Sequence, residues 1–411
     1  MYRRMSSEPE KTTRFTMEDA TAVVNELSCF EEAKVIGFEL KPFSSETLGY
    51  LGRHEMLRVE ARELHDKDKD APSTRSLTFF VKSKVAGANE FDDAIFRDES
   101  KFYEDVVPKL LEAYRSELWA ARCHLVKEGG GLLVLEDLRA GGYEATNRPL
   151  RTIELRSAIA SLARFHATSI LLEARLGKPL DQAYPGFFGE KVFVNDGGWS
   201  WKWLVTGMEV AEDVARELGL DASSVPAAYE WTIEKVLPEK HRGRNVLVHC
   251  DLWYNNLMFS ESGSRCRLVD FQMTTYASYA VDLAQIVYLN TGVEARRRTE
   301  AQLIGLYHRV LVETLSEHGY AGKPISLDEV ARDFEDKRIY GSVVAVQFLP
   351  IVLWGKEMAE KYASPDTGAY HMYTSRVELV RSAMQRDRHY RRRIEEVVRD
   401  LVECAEGCLK S

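Results

Sequence analysis

Asn245 to Gln272 reads NVLVHCDLWYNNLMFSESGSRCRLVDFQ, and this stretch decides how the rest of the chain is understood. Val246 to Val248 is a brief apolar approach. Leu257 to Phe259 and Arg267 to Val269 are two further short strands, so the segment is a strand-rich island punctuated by tight turns. His249, Asp251 and Asn256 follow the first strand, and Asp270 closes the third. A loop between short strands can point Asp251 and Asn256 into one cavity, and the hairpin can return Asp270 beside them. Three oxygen-bearing side chains are enough for one proton acceptor and two Mg²⁺ ligands.

The surroundings divide into two halves. Before the island, Phe15 to Phe30 has the pattern of a helix capped by Thr16, with Glu18 and Asp19 in an acidic first turn. Lys34 to Lys41, Glu55 to Leu64 and Leu77 to Val85 read as strands, and Phe91 to Val106 follows helical spacing with Pro108 as its stop. Ala120 to Lys127 and Leu132 to Leu138 form a strand pair around Gly129, Gly130 and Gly131. From there the chain turns helical. The expected helices are Thr152 to Ala174, Trp199 to Leu218, Ala227 to Leu237, Ser278 to Tyr288, Arg296 to His318, Leu327 to Trp354 (bent or divided at Pro350) and Ser375 to Leu409. The expectation is therefore two domains: residues 1–137, sheet-rich, and residues 138–411, mainly helical. The fold class is α+β.

Bulk properties remove several function classes. Lys plus Arg number 55 against 64 Asp plus Glu, a net charge of −9, which is not the electrostatic signature of a nucleic-acid binder. Six cysteines occur with no CxxC pair, the pattern of a reduced, cytoplasmic protein. Met1 to Glu10 is too polar for a secretory signal, and the longest apolar run, Val343 to Trp354, is too short for a membrane span. Oligomeric state is not legible.

His-x-Asp-x-x-x-x-Asn followed by apolar-Asp-Phe resembles the catalytic and metal loops of the kinase superfamily. HCDLWYNN with VDFQ, Leu-Glu-Asp-Leu at 135–138 and Ala-Arg-Phe-His-Ala at 163–167 are similar to a narrower group, the ecdysteroid-kinase-like and choline-kinase-like proteins of the aminoglycoside phosphotransferase-type branch. The resemblance implies a bilobal protein-kinase-like fold, with residues 1–137 as the nucleotide-binding lobe and residues 138–411 as the catalytic and substrate-binding lobe. It also implies ATP and Mg²⁺ as cofactors, and a small-molecule alcohol as acceptor, an ecdysteroid-like sterol in the first instance. It implies Asp251 as the base and Asn256 and Asp270 as metal ligands. Strand periodicity leaves Lys82 and Lys84 open as the phosphate-binding cation; the resemblance selects Lys82, with Glu99 on the next helix as its partner. A carboxylate on an apolar stripe is costly unless paired, which agrees with that partnership.

The adenine is expected at the backbone of Leu135 to Leu138, with Glu136 and Leu138 contributing. Ser45, Thr47 and Gly49 in SSETLGYLGR are the candidate phosphate-covering loop. His249 and Asp282 are read as structural braces of the loops and His166 as a satisfied core histidine. The aromatics between His166 and Arg244, among them Tyr184, Trp199, Trp203 and Tyr229, could wall the acceptor site or simply fill a core. A protein kinase is disfavoured, because Gln272 stands in place of glycine and only 12 positions separate Asp270 from Asp282. Choline or another amino alcohol is the alternative acceptor, and a catalytically inactive kinase-like binding protein is the alternative of a different class.

Overall fold

Alternation of apolar residues along the early strands puts one face of a sheet against a helix. The structure, a computed structural model, describes residues 15–27, 33–43, 53–63, 74–84, 90–127, 131–236, 243–353 and 367–409. Helix α1 (Met17–Asn25) begins at Thr16, whose hydroxyl accepts from the Asp19 amide while the Asp19 carboxylate accepts from the Thr16 amide. Strands β1 (Ala33–Pro42), β2 (Arg53–Glu63) and β3 (Thr74–Ser83) lead to α2 (Glu90–Lys101), and β4 (Cys123–Val126) and β5 (Leu132–Glu136) complete an antiparallel sheet of order β1-β2-β3-β5-β4. In β2 every second residue, Leu57, Val59 and Ala61, is buried. These pack with Phe79, Val81, Leu132 and Val134 against Ala20, Val23 and Val24 of α1.

The chain divides into two compact units. One comprises residues up to Pro108 together with Ala120–Gly142; the other comprises Lys109–Trp119 and everything from Tyr143 onward. The first is sheet-rich and the second mainly helical.

Pro108 does not stop its helix. After α2 comes a π-helical turn, Phe102–Val106, and then α3 (Val107–Ala113), with Pro108 in the first turn of α3. The Val107 N–H already reaches back to the Phe102 carbonyl, so the hydrogen bond that proline cannot make falls where the ladder has changed register.

In the second unit β6 (Tyr143–Ala145) precedes α4 (Thr152–Leu176), α5 (Leu180–Ala183), α6 (Trp199–Glu217) and α7 (Ser224–Lys235). The island supplies β7 (Asn245–Val248), β8 (Leu257–Ser260) and β9 (Cys266–Leu268), followed by β10 (Thr275–Ser278). Strand β7 pairs with β10, and β8 lies between β6 and β9. Helices α8 (Tyr279–Asn290), α9 (Val293–Glu317), α10 (Leu327–Glu335), α11 (Arg338–Val352), α12 (Gly368–Tyr373), α13 (Val377–Arg386) and α14 (Arg388–Leu409) complete it.

Two expected long helices are broken in places that periodicity does not mark. The segment from Leu327 divides at Asp336 and Lys337, and Pro350 sits inside α11 near its end. Lys337 is buried, and its ammonium donates to the Lys235 carbonyl at the C-terminus of α7 (3.1 Å), a favourable end for a cation. The last segment divides at Asp387, whose carboxylate accepts from the amides of His389 and Tyr390 and so starts a new helix. Among the described residues no helix is long and apolar enough to cross a membrane.

Candidate active site

In the first unit, alternation along β3 puts Phe79 and Val81 toward α1 and Lys82 on the opposite face. Lys82 is buried, 3% exposed, and its Nζ lies 2.6 Å from Oε2 of Glu99, itself 1% exposed on α2. Lys84, the other candidate, lies just past the end of β3, where its more exposed side chain pairs with Asp93 at 2.8 Å. Glu99 shares its helix face with Ile95 and Phe102, both buried, so the carboxylate breaks an apolar stripe where the Lys82 ammonium meets it. Glu136 ends β5 and is tied to Arg122 twice, its own N–H donating to the Arg122 carbonyl and its carboxylate accepting from the Arg122 amide. Leu138 is buried in the turn that follows. Ser45, Thr47 and Gly49 lie outside the described residues.

In the second unit the loop after β7 is held by side chains from one helix. The Asp282 carboxylate of α8 accepts from the amides of His249 (2.6 Å) and Cys250 (2.9 Å). It also meets His166 Nε2 at 3.2 Å, whose other ring nitrogen contacts the Tyr307 hydroxyl. Gln285, one turn on, accepts from the Leu252 amide and donates to the Cys250 carbonyl, and Asn290 donates to the Leu252 carbonyl. Cys250 adopts φ of 62°, a left-handed conformation unusual for a residue with a Cβ. The clamps on either side of it over-determine that turn.

His249 is fully buried. Its Nε2 faces the Val269 carbonyl at 3.0 Å and its Nδ1 accepts from the Asp251 amide at 3.2 Å, which fixes the neutral Nε2–H tautomer. Burial holds its pKa below the ordinary value against the nearby Asp282 and Asp270. It is a brace between the two loops; Asp282 holds the first of them through its backbone, and His166 is a buried histidine satisfied by Asp282 and Tyr307.

Asn256 closes a 3₁₀ turn, Tyr254–Asn256, and donates its amide to the Asp251 carboxylate (2.7 Å) and backbone carbonyl (2.9 Å). Those bonds turn the amide so that its oxygen is the atom left to act as a ligand. The Asn256 carbonyl accepts from the Val269 amide, which ties the loop to the residue before Asp270. Asp270 has φ of 70° and opens a second 3₁₀ turn, Phe271–Met273. Phe271 packs against His249, Trp119 and Phe165.

One amide oxygen and one carboxylate are hard donors of the type Mg²⁺ takes. Among the described residues no three His, Cys, Asp or Glu side chains converge as a metal group.

A family model described as the ecdysteroid kinase-like family matches residues 53–320. The chain belongs to that family. The matched region contains the Lys82–Glu99 pair and both loops. No curated protein matches the chain. Among solved structures, a Ralstonia eutropha protein assigned as an aminoglycoside phosphotransferase is similar over 96% of this chain and 99% of its own, at 13% identity and a TM-score of 0.47. Ethanolamine kinase of Plasmodium vivax is similar over 87% and 84% (12%, 0.41), and choline kinase LicA of Streptococcus pneumoniae over 85% and 94% (13%, 0.35). The family is kinase-like by its description, and the chain has the α+β composition expected of it, one sheet-rich unit and one mainly helical unit.

Sequence reasoning named Asp282 but missed Gln285 and Asn290. Both are buried polar residues on α8, a helix whose residues are all buried. Polar residues at 282, 285 and 290 on such a helix were the available signal.

Proposed function

We propose that this ecdysteroid kinase-like protein transfers the γ-phosphoryl group of ATP to an alcohol, and that its acceptor is an ecdysteroid-like sterol. The observation carrying this reading is the Asp251 carboxylate, held by Asn256 in a loop whose backbone is clamped by Asp282, Gln285 and Asn290. A carboxylate fixed in this way can orient an acceptor hydroxyl and take its proton. Asn256 and Asp270 would hold Mg²⁺, which when bound neutralises phosphate charge. Lys82 binds the ATP phosphates, and Glu99 positions Lys82. Neutral His249 moves no proton; it keeps the Asp251 and Asp270 loops in register.

The acceptor rests on family membership, and the aromatics after α5 are its candidate wall. Phe188 and Tyr229 are buried, whereas Trp199 is 43% exposed and packs edge-on against Tyr373. The test is ATP- and Mg²⁺-dependent transfer to ecdysteroids, other sterols, choline and ethanolamine, with Asp251→Ala as the blank. Product with the sterols alone supports the proposal, product with choline or ethanolamine alone overturns the acceptor, and equal product from wild type and Asp251→Ala overturns the base.

A further inference from the structure

In phosphoryl transfer the transferring group carries negative charge over its three oxygens while charge develops on the leaving oxygen, and enzymes meet it with a fixed cation as well as a metal. Neither loop of the second unit supplies one: His249 to Ser264 and Leu268 to Ser278 contain no lysine or arginine. Arg267, next to the second stretch, is turned to the Leu118 carbonyl and the Tyr143 ring.

A cation is brought to these loops from elsewhere in the unit. Residues Phe188 to Lys191 run beside β10: the Tyr276 amide donates to the Phe188 carbonyl, and the Thr275 hydroxyl donates to the Gly189 carbonyl. The Glu190 carboxylate accepts from three consecutive amides, those of Lys191, Val192 and Phe193, and Ser200 donates to the Lys191 carbonyl. The segment is therefore built to hold one conformation.

From it the Lys191 ammonium donates to the Thr274 carbonyl at 2.9 Å. Thr274 lies four residues after Asp270 and directly before Thr275, which pairs with Val248 at the end of β7, three residues before Asp251. Burial pushes the Cys250 thiol well up, and among the charges it feels are the Glu190 carboxylate and the opposing Lys191 ammonium. Lys191 thus stands at the junction of the Asp251 and Asp270 loops.

Building on the kinase reading, we infer that Lys191 is a further catalytic residue, whose ammonium binds the transferring phosphoryl group and stabilises its charge as Asp251 takes the hydroxyl proton. The bond from the γ-phosphorus to the β–γ bridging oxygen breaks as the bond to the acceptor oxygen forms, and ADP leaves with that bridging oxygen. Lys191 gains and loses no proton.

The experiment compares wild type, Lys191→Met and Lys191→Arg for binding of Mg·ADP and of Mg·ADP with aluminium fluoride, a mimic of the transferring phosphoryl group. Turnover is measured alongside. Lys191→Met is expected to bind Mg·ADP within about twofold of wild type, to lose the extra affinity for the fluoride complex, and to lose about 10²–10³ in kcat with KM for ATP little changed. Lys191→Arg is expected to fall between the two. A Lys191→Met that keeps the extra affinity overturns the inference. So does one that loses both ligands alike together with its melting temperature, since that is the behaviour of a purely structural lysine. If wild type binds Mg·ADP but phosphorylates no acceptor, the fluoride comparison still decides the role of Lys191. If wild type binds no nucleotide, the kinase reading fails first and the inference falls with it.

Discussion

Replacing Glu99 with glutamine removes a negative charge that lies 2.6 Å from the ammonium of a buried lysine. At 2.6 Å the pair attracts by about 6 kcal/mol at an effective dielectric of 20. Desolvation of two ions offsets most of that, so the net worth of the pair is small. The cost of breaking it is not, because Lys82 stays in a site where it is 3% exposed, and one-sided removal of a buried pair costs about 3–5 kcal/mol. That is a large share of the ~5–15 kcal/mol by which a domain is stable. The appropriate assay is native-state hydrogen exchange at the amides of β3 and α2, since a chain of two units does not unfold in one step. Glu99→Gln should raise exchange there by two decades or more, and Lys82→Met/Glu99→Leu should recover most of the loss. A single variant within 1 kcal/mol of wild type, or a double variant worse than either single, would refute the reasoning. The same Glu99→Gln protein should bind ATP more weakly, because its lysine is no longer directed.

Three further expectations follow from other parts of the molecule. Asp282→Ala leaves the His249 and Cys250 amides unsatisfied at about 1–3 kcal/mol each and should depress kcat at least tenfold while ATP binding survives, checked by steady-state kinetics and nucleotide titration. Glu154, held by Arg148 and Arg151 down to a pKa of about 2 against an ordinary 4.5, stabilises the fold above pH 4.5 and loses that contribution as pH falls through 2. Melting curves of wild type and Glu154→Gln should therefore differ at pH 6 and converge towards pH 2. Gly207→Ala would drive a methyl into the Gln347 amide and the Arg376 guanidinium, both buried and both hydrogen-bonded, and should lower stability by about 1–3 kcal/mol in thermal unfolding.

The candidate site residues of the second unit were legible because their spacing is a property of the chain itself: five positions from Asp251 to Asn256, then a hairpin to Asp270. The sheet was legible from alternation in β2. What the sequence hid is set by distant partners. Strands β6 and β10 are three and four residues long, too short for any period, and exist because β8 and β7 pair with them. The break at Lys337 answers to a carbonyl on α7, about a hundred residues earlier. Pro108 carried the ordinary stop signal, and only the π turn ahead of it lets the helix continue. Lys82 and Lys84 could not be separated by strand periodicity; in the structure Lys82 is buried against Glu99, while Lys84 is at the rim with Asp93.

The clamp behind the Asp251 loop has a consequence for transplantation. His249, Cys250 and Leu252 are fixed through their backbone atoms, and every one of those bonds comes from Asp282, Gln285 or Asn290 on a single helix. The octapeptide HCDLWYNN is thus not a portable part. A scaffold given those eight residues alone would inherit the carboxylate without its aim. One given α8 as well would inherit both, and the carboxylate's aim would then depend on the backbone of the loop and the polar residues of the helix together.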